Sequence, residues 1–504
     1  MTQIPRRAAA AACAILAALA LAGCAGPFAR APEEARAQDG RRFAVDEAGL
    51  RATLTATDPA QRGGNGAFLP LQGFDTDRWV GTLDGAGWQI EVPRNWNGML
   101  VLYAHGYRGT GERLTVTPPT IRRHLVGRGF AWASSSYARN YYDVRAGVED
   151  TNALALAFTR IARENGRVLA EPTRRFVIGH SMGGHVAAAA VERETMDRAV
   201  NRVRYDAAMP MCGVMSDVEI FDGFGAYQSA VQQLAGLPAS AASAPGEWAA
   251  LDAQLKARYF STFPNGSTAG VLTPEGERLK QVVRHLSGGD RPGFDAAFLL
   301  APARGGHTPT VWGGFGRDGT IDGILNRKGI DTRGIVYRFD ADPAASAELN
   351  RAAFRFVRDS QANRLRSDGL RWIPTLPAQV SVPVVTLHTL GDSYVWWRNQ
   401  QRYRERANAA GTSQWVVQRA IRGAGHCDFT LGEQEEGFDA MLAWQLEGRR
   451  PAGDEVLDAA LTATPTYGCG FSREPRADDA AVLRTNRQLL AACPAGSARP
   501  NFEN

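Results

Sequence analysis

Lysine is almost missing from this chain: only three of its 57 basic residues are lysines, and the rest are arginines. The arginines are scattered. No basic run or stripe is interleaved with aromatics, and a net charge of +5 over 504 residues is modest, so no nucleic-acid surface is expected. Cysteine and histidine are scarce too, six and eight, and no cysteine pair has the close spacing or nearby histidines of a zinc site. There is no internal repeat, which excludes a propeller or solenoid. Beyond the first residues no apolar run is long enough to cross a bilayer. What remains is ample material for a core, 44% apolar. The length suits one large domain with an insertion, or two or three domains.

The start of the chain reads as an address and not as part of the fold. Arg6 and Arg7 precede an Ala/Ile/Leu-rich stretch of roughly 15 residues, short for a span but suited to a signal-peptide core. It ends in Leu21-Ala22-Gly23-Cys24, whose small residues resemble a bacterial lipobox. The resemblance implies that residues 1–24 are a lipoprotein signal and that Cys24 carries the lipid. The protein would then be exported and held on the cell envelope through its N-terminus. Ala25 resembles the residue of lipoproteins sorted to the outer membrane. A signal cut elsewhere, giving a secreted protein, is the alternative. Residues 25–42 are rich in Ala, Pro, Arg and Glu, with little to bury, and read as a flexible tether.

From Phe68 on, apolar runs bounded by turn residues alternate with amphipathic patterns. GWQIEVP, GMLVLYAHG, FAWASSSY, RRFVIG and YDAAMPMCGV read as strands. PTIRRHLVGRG, VEDTNALALAFTRIARENG and an Ala-rich run from Met182 read as helices. Between Ser216 and Leu376 the alternation breaks into helical pieces (GEWAALDAQLKARYF, AELNRAAFRFVRDS) and Gly-rich loops. It then resumes, with PVVTLHTLGD and QWVVQRAIRG as strands and WRNQQRYRERANAAG and GFDAMLAWQLEG as helices. Such an order implies a mainly parallel sheet with helices on both faces. Residues 43–215 and 377–447 would form the core, 216–376 a mostly helical cap inserted between two strands, and 448–504 a C-terminal segment.

Gly179-His180-Ser181-Met182-Gly183 fits G-x-S-x-G between a strand and a helix, the setting of a nucleophile elbow. A serine hydroxyl needs a base, and the base an orienting acid, in the chain order Ser, acid, His. Four histidines follow the elbow helix. His285 and His307 lie in the insertion, and His388 sits inside a strand as a core or supporting residue. His426 follows the last strand between glycines and is the expected base, since His180 and His185 flank the serine too rigidly. Asp392 ends the preceding strand and is the expected acid. Its other reading is a helix cap, and Asp340, Asp342 and Asp428 are weaker candidates. Two donors are needed for a tetrahedral oxyanion. The expected pair is the N–H of Met182 and that of Tyr107, in the loop where His105-Gly106 stands.

From about Gly87 to Leu446 these residues resemble the α/β-hydrolase family. The resemblance implies an α/β-hydrolase fold and a serine hydrolase that needs no metal and no organic cofactor. GHSMGG is shared by esterases, lipases and prolyl-oligopeptidase-like peptidases, so it indicates machinery and not substrate. A small or polymeric ester is expected, with Trp312 and Phe315 of the cap and Trp396 after the acid lining an apolar acyl pocket; plain packing is the other reading of these aromatics. A prolyl-oligopeptidase-like peptidase or amidase is the alternative. An inactive surface-binding lipoprotein is disfavoured by the intact triad. Cys212, Cys427, Cys469 and Cys493 form an even set suited to an oxidising compartment. In this fold the loops of Cys212 and Cys427 share one sheet edge, which implies a Cys212–Cys427 disulfide and leaves Cys469–Cys493 to close the C-terminal segment; the alternative is a small buried Cys212 in the core and a free thiol at Cys427.

Overall fold

Eight strands form one sheet: β1 (Thr76–Leu83), β2 (Ala86–Pro93), β3 (Met99–Ala104), β4 (Ala131–Ser135), β5 (Arg174–His180), β6 (Ala207–Met211), β7 (Val384–Thr389) and β8 (Val416–Ile421). They come from a computed structural model that describes residues 42–237, 254–264, 269–299 and 329–502. The spatial order is β1-β2-β4-β3-β5-β6-β7-β8. β2 pairs antiparallel with both its neighbours, and every other pairing is parallel. Strands β2, β4, β6, β7 and β8 are buried at every position. Strands covered on both faces read as continuous apolar runs, which is why the sequence discloses them. β1 does not: it is a half-buried edge strand rich in polar residues, and the pattern reading passes over it.

Alternate residues of the strands serve opposite faces. On one side Leu100, Leu102, Val177 and Val384 pack with Leu154, Phe158 and Ile161 of α2 (Val144–Glu164) and with α3 (Met182–Ala190). On the other, Val101, Phe176, Ile178 and Leu387 meet α1 (Arg122–Gly127) and Phe438, Met441 and Leu442 of α8 (Leu431–Glu447). α2 begins ahead of the expected Val148, because Asp143 caps it by accepting the N–H of Ala146. α8 likewise starts well before Gly437, at a Thr430/Glu433 capping box. Polar caps outrun the apolar pattern at both helices.

The chain leaves the sheet after β6 and returns at β7. Between them lie α4 (Glu219–Leu234), a short antiparallel pair (Phe260–Thr262 with Val271–Leu272), α5 (Pro274–Leu286) and α6 (Pro343–Ala352), with α7 (Arg398–Ala410) following β7. α4 and α5 share an apolar cluster of their own. α6 stops at Ala352, short of the expected Ser360. Phe356 exchanges bonds with Thr332, through its N–H to Oγ1 (2.8 Å) and its carbonyl to the amide (3.0 Å). Arg355 meanwhile donates to the carbonyls of Thr332, Ile335 and Asn350. Leu370, Ile373 and Leu376, at the end of the expected cap, pack in the core beside α2.

Disulfides join Cys212 to Cys427 and Cys469 to Cys493. Cys24, the signal and the tether up to residue 41 lie outside the described residues, as do Trp312, Phe315 and His307. Among the described residues no helix is long and apolar enough to cross a membrane.

Candidate active site

β4 lies on one side of β3 and β5 on the other, so the chain switches direction across the sheet there. Ligands of open α/β sheets bind beyond the carboxyl ends of the strands at such a switch, and β5 delivers Ser181 to that place. The serine stands between β5 and α3 at φ 58°, ψ −122°, a backbone region that side-chain-bearing residues rarely occupy. Its N–H donates to the Met211 carbonyl (3.0 Å), and its carbonyl accepts from Gly184 (2.9 Å) and His185 (3.2 Å). The flanking glycines are obligatory. A Cβ on Gly179 would stand 2.1 Å from the Gly183 carbonyl oxygen, and one on Gly183 only 2.0 Å from that of Ala104.

His426, after β8, places Nε2 2.8 Å from Ser181 Oγ and Nδ1 2.6 Å from Asp392 Oδ2. Asp392, after β7, is completely buried. Its second oxygen accepts the N–H groups of Tyr394 (2.9 Å) and Val395 (2.8 Å), so it also caps the turn that leads into α7. Acid after β7, histidine after β8 and serine after β5, on a sheet whose second strand alone is reversed, decide the architecture. This is the α/β-hydrolase fold.

No protein-family model and no curated protein matches the chain. Among solved structures, feruloyl esterase B from Aspergillus oryzae is similar at 15% identity and TM-score 0.40, over 80% of this chain and 86% of that one. A thermostable esterase from Pseudomonas putida ECU1011 is similar at 15% identity and TM-score 0.32, over 82% and 86%. The acylaminoacyl peptidase of Pyrococcus horikoshii is similar at 10% identity and TM-score 0.32, over 74% of this chain and 42% of that one.

The other histidines of the hydrolase core are spoken for. His388 is fully buried, with Nε2 on the Val395 carbonyl (2.7 Å) and Nδ1 against Gln400 (3.1 Å), and burial lowers its pKa. His185 lies between Tyr142 Oη and the Pro374 carbonyl, and His180 between Tyr103 Oη and Gln434. Burial pushes both down to about 4, so they are neutral hydrogen-bonding struts. In the cap His285 pairs with Asp340 (2.8 Å), and Asp342 caps α6.

Both segments expected to supply oxyanion donors lie against the serine. Met182 is the first residue of α3, where amides lack intrahelical acceptors. Tyr107 follows Gly106, where a Cβ would lie 3.1 Å from that of Ser181. His105 anchors this loop: it is buried, stacked on Tyr137 at 4.1 Å, and its Nδ1 bonds the Gly106 carbonyl (2.7 Å). Trp396 stands after the acid, beside the cap. It is 2% exposed and packs on Phe224 and Tyr227 of α4. The cavity of about 1090 Å³ that it borders mixes charged residues such as Arg333, Arg358 and Glu219 with Ile220, Leu286 and Val336.

The histidine loop is held from several sides. Cys427 ties it to Cys212 at the end of β6, and Thr389 Oγ1 donates to the Gly425 carbonyl (2.8 Å). From the C-terminal segment, Arg487 donates to the Asp428 carbonyl and to Glu433, both at 2.6 Å, while Ser472 Oγ accepts the N–H of Arg422 (2.8 Å). Asp428 is thereby a brace of the loop, receiving the Gly425 amide at 3.3 Å. Sequence reading gave the C-terminal segment no part in the site. Ligand atoms of Cys212, Cys427 and His426 lie within 4.8 Å of one another, as in a metal site, but the disulfide consumes the thiolates such a site needs.

Proposed function

We propose that the protein is an exported serine hydrolase that cleaves carboxylic esters through an acyl-enzyme on Ser181. The observation that supports this is the continuous Asp392–His426–Ser181 chain at 2.6 and 2.8 Å. In this reading Nε2 of His426 takes the serine proton as Oγ attacks the ester carbonyl, and Asp392 keeps the other proton on Nδ1. The oxyanion accepts the N–H groups of Met182 and Tyr107, each worth about 3–4 kcal/mol, and the N-terminus of α3 adds its dipole. His426 then protonates the departing alcohol. A water deprotonated by the same nitrogen attacks the acyl carbonyl, releasing the acid and restoring Ser181. Export with a lipid on Cys24 is supported by the N-terminal pattern, and two disulfides suit an oxidising compartment.

The test uses a fluorophosphonate probe and a chain-length series of nitrophenyl esters beside matched anilides. Wild type is labelled and Ser181→Ala is not. Ser181→Ala and His426→Ala lose up to ~10⁶ in kcat, and Asp392→Asn less. Labelling of Ser181→Ala at the wild-type rate refutes the nucleophile. Anilides turned over faster than esters replace the esterase by an amidase.

A further inference from the structure

A buried arginine of the insertion reaches the acid's loop. Arg291 lies in the turn after α5, is 7% exposed and lies over the Phe294 ring at 5.1 Å. Its Nε donates to the Leu390 carbonyl (2.7 Å), two residues before Asp392. Nη1 donates to the Gly289 carbonyl (2.7 Å) and Nη2 to Ser287 Oγ (3.1 Å). All three acceptors are neutral. A buried guanidinium without a carboxylate on its donors is costly unless a nearby charge offsets it. The negative charge acting on it most strongly is Asp392, ahead of Asp290. Asp290 is itself exposed and paired with Arg284 at 3.1 Å.

The contact is built into three backbones. Arg398 N donates to the Ser287 carbonyl (3.0 Å) and Gly391 N to that of Gly423 (2.8 Å). A Cβ on Gly391 would stand 3.0 Å from the Gly293 carbonyl oxygen and 2.7 Å from that of Gly423. The insertion's turn, the acid loop and the histidine loop therefore meet at Gly391.

We propose that Arg291 is a positioning residue for the Asp392–His426 pair, holding the acid loop through the Leu390 carbonyl and placing a buried positive charge beside that loop. The insertion then sets the protonation of the dyad and not merely the shape of the substrate pocket. The other groups around the pair are accounted for. His388 on β7 is buried, 3.9 Å from Asp392 Oδ2, and held below its usual range. Tyr394 on the acid loop is raised by burial and then by Asp392. Asp428 on the histidine loop is raised by burial and countered by Arg487. His180, before the serine, is held down by burial. Removing Arg291's charge leaves Asp392 less offset, which favours the imidazolium, so His426 keeps its proton to higher pH.

Only the kinetic part of this proposal rests on the hydrolase reading, so the experiment has two arms. The full-length protein is labelled with ¹³C at its eight histidines, and the His426 signal, assigned with His426→Gln, is titrated by NMR in wild type, Arg291→Met and Arg291→Lys. The fluorophosphonate labelling rate is measured over the same pH range. Arg291→Met is expected to raise the His426 midpoint by about one pH unit, the scale of one interior charge, and to move the acidic limb of labelling with it. Arg291→Lys stays near wild type. Arg291→Gln serves the same purpose if the methionine variant does not fold. A midpoint unmoved in the uncharged variant, or moved equally in the lysine variant, overturns the proposal. A shifted midpoint without labelling in any form supports it and refutes the hydrolase reading instead.

Discussion

Removing the Cys212–Cys427 bridge by a double alanine substitution should damage the site more than the fold. The bridge joins positions 215 apart in sequence, and the chain-entropy model gives such a loop about 5 kcal/mol. Against this stands backbone strain. Cys212 sits at φ 43° and Cys427 at φ 56°, the left-handed region, which costs a side-chain-bearing residue roughly 1–2 kcal/mol. Freed of the bridge, both loops relax and recover that strain, leaving a net loss of about 1–3 kcal/mol and a drop of a few degrees in Tm. The same relaxation carries His426, one residue away, out of register with Ser181, and a displacement of about 1 Å costs on the order of 10² in rate. Thermal melts beside fluorophosphonate labelling rates measure the two effects. A Cys212→Gly/Cys427→Gly pair separates their causes, because glycine keeps a positive φ without strain. It should melt as low as the alanine pair or lower, yet label faster. The reasoning is refuted if the alanine pair labels at the wild-type rate, or if labelling falls only as the protein unfolds.

Two further outcomes follow from close contacts and burial. Gly183→Ala puts a Cβ 2.0 Å from the Ala104 carbonyl oxygen and 2.6 Å from that of His105. It should cost about 1–3 kcal/mol by overpacking and remove most labelling; a variant that labels like wild type contradicts the elbow geometry. Asp454 accepts the Ala420 N–H at 2.8 Å, and burial raises its pKa from 3.8 to about 6. A raised carboxyl binds its proton more tightly when folded, so its stabilising effect is complete below pH 3.8 and fades as pH rises through 6. Asp454→Asn should therefore gain up to about 3 kcal/mol on wild type between pH 4 and pH 7. Equal pH slopes in urea unfolding of the two proteins would rule this out.

The serine elbow was legible because its causes are local. Steric demand at Gly179 and Gly183 and the apolar run of β5 are written in adjacent residues. His426 and Asp392 were legible through strand order, which ties each to the end of one strand. The bounds of α2 and α8 were less so, since Asp143 and Thr430 start helices by hydrogen bonding and not by apolar periodicity. At α6 the apolar pattern of AAFRF continues, but Thr332 and Arg355 draw the chain into an extended path. Arg291 and Arg487 were invisible for a different reason. Each acts on a carbonyl far away in sequence, and an arginine in a turn or short helix resembles the many that merely face water.

The Cys212–Cys427 linkage makes a covalent ring that contains the whole insertion and β7. One peptide-bond scission inside that ring opens it without dividing the molecule, and two scissions release only the piece between them. Ser181 and His426 stay on a single covalent body through the sulfur atoms. A protease that cuts within the ring can therefore trim or excise the cap while the two reacting residues remain tethered. Cuts confined to the ring separate them only when a reductant also opens the disulfide.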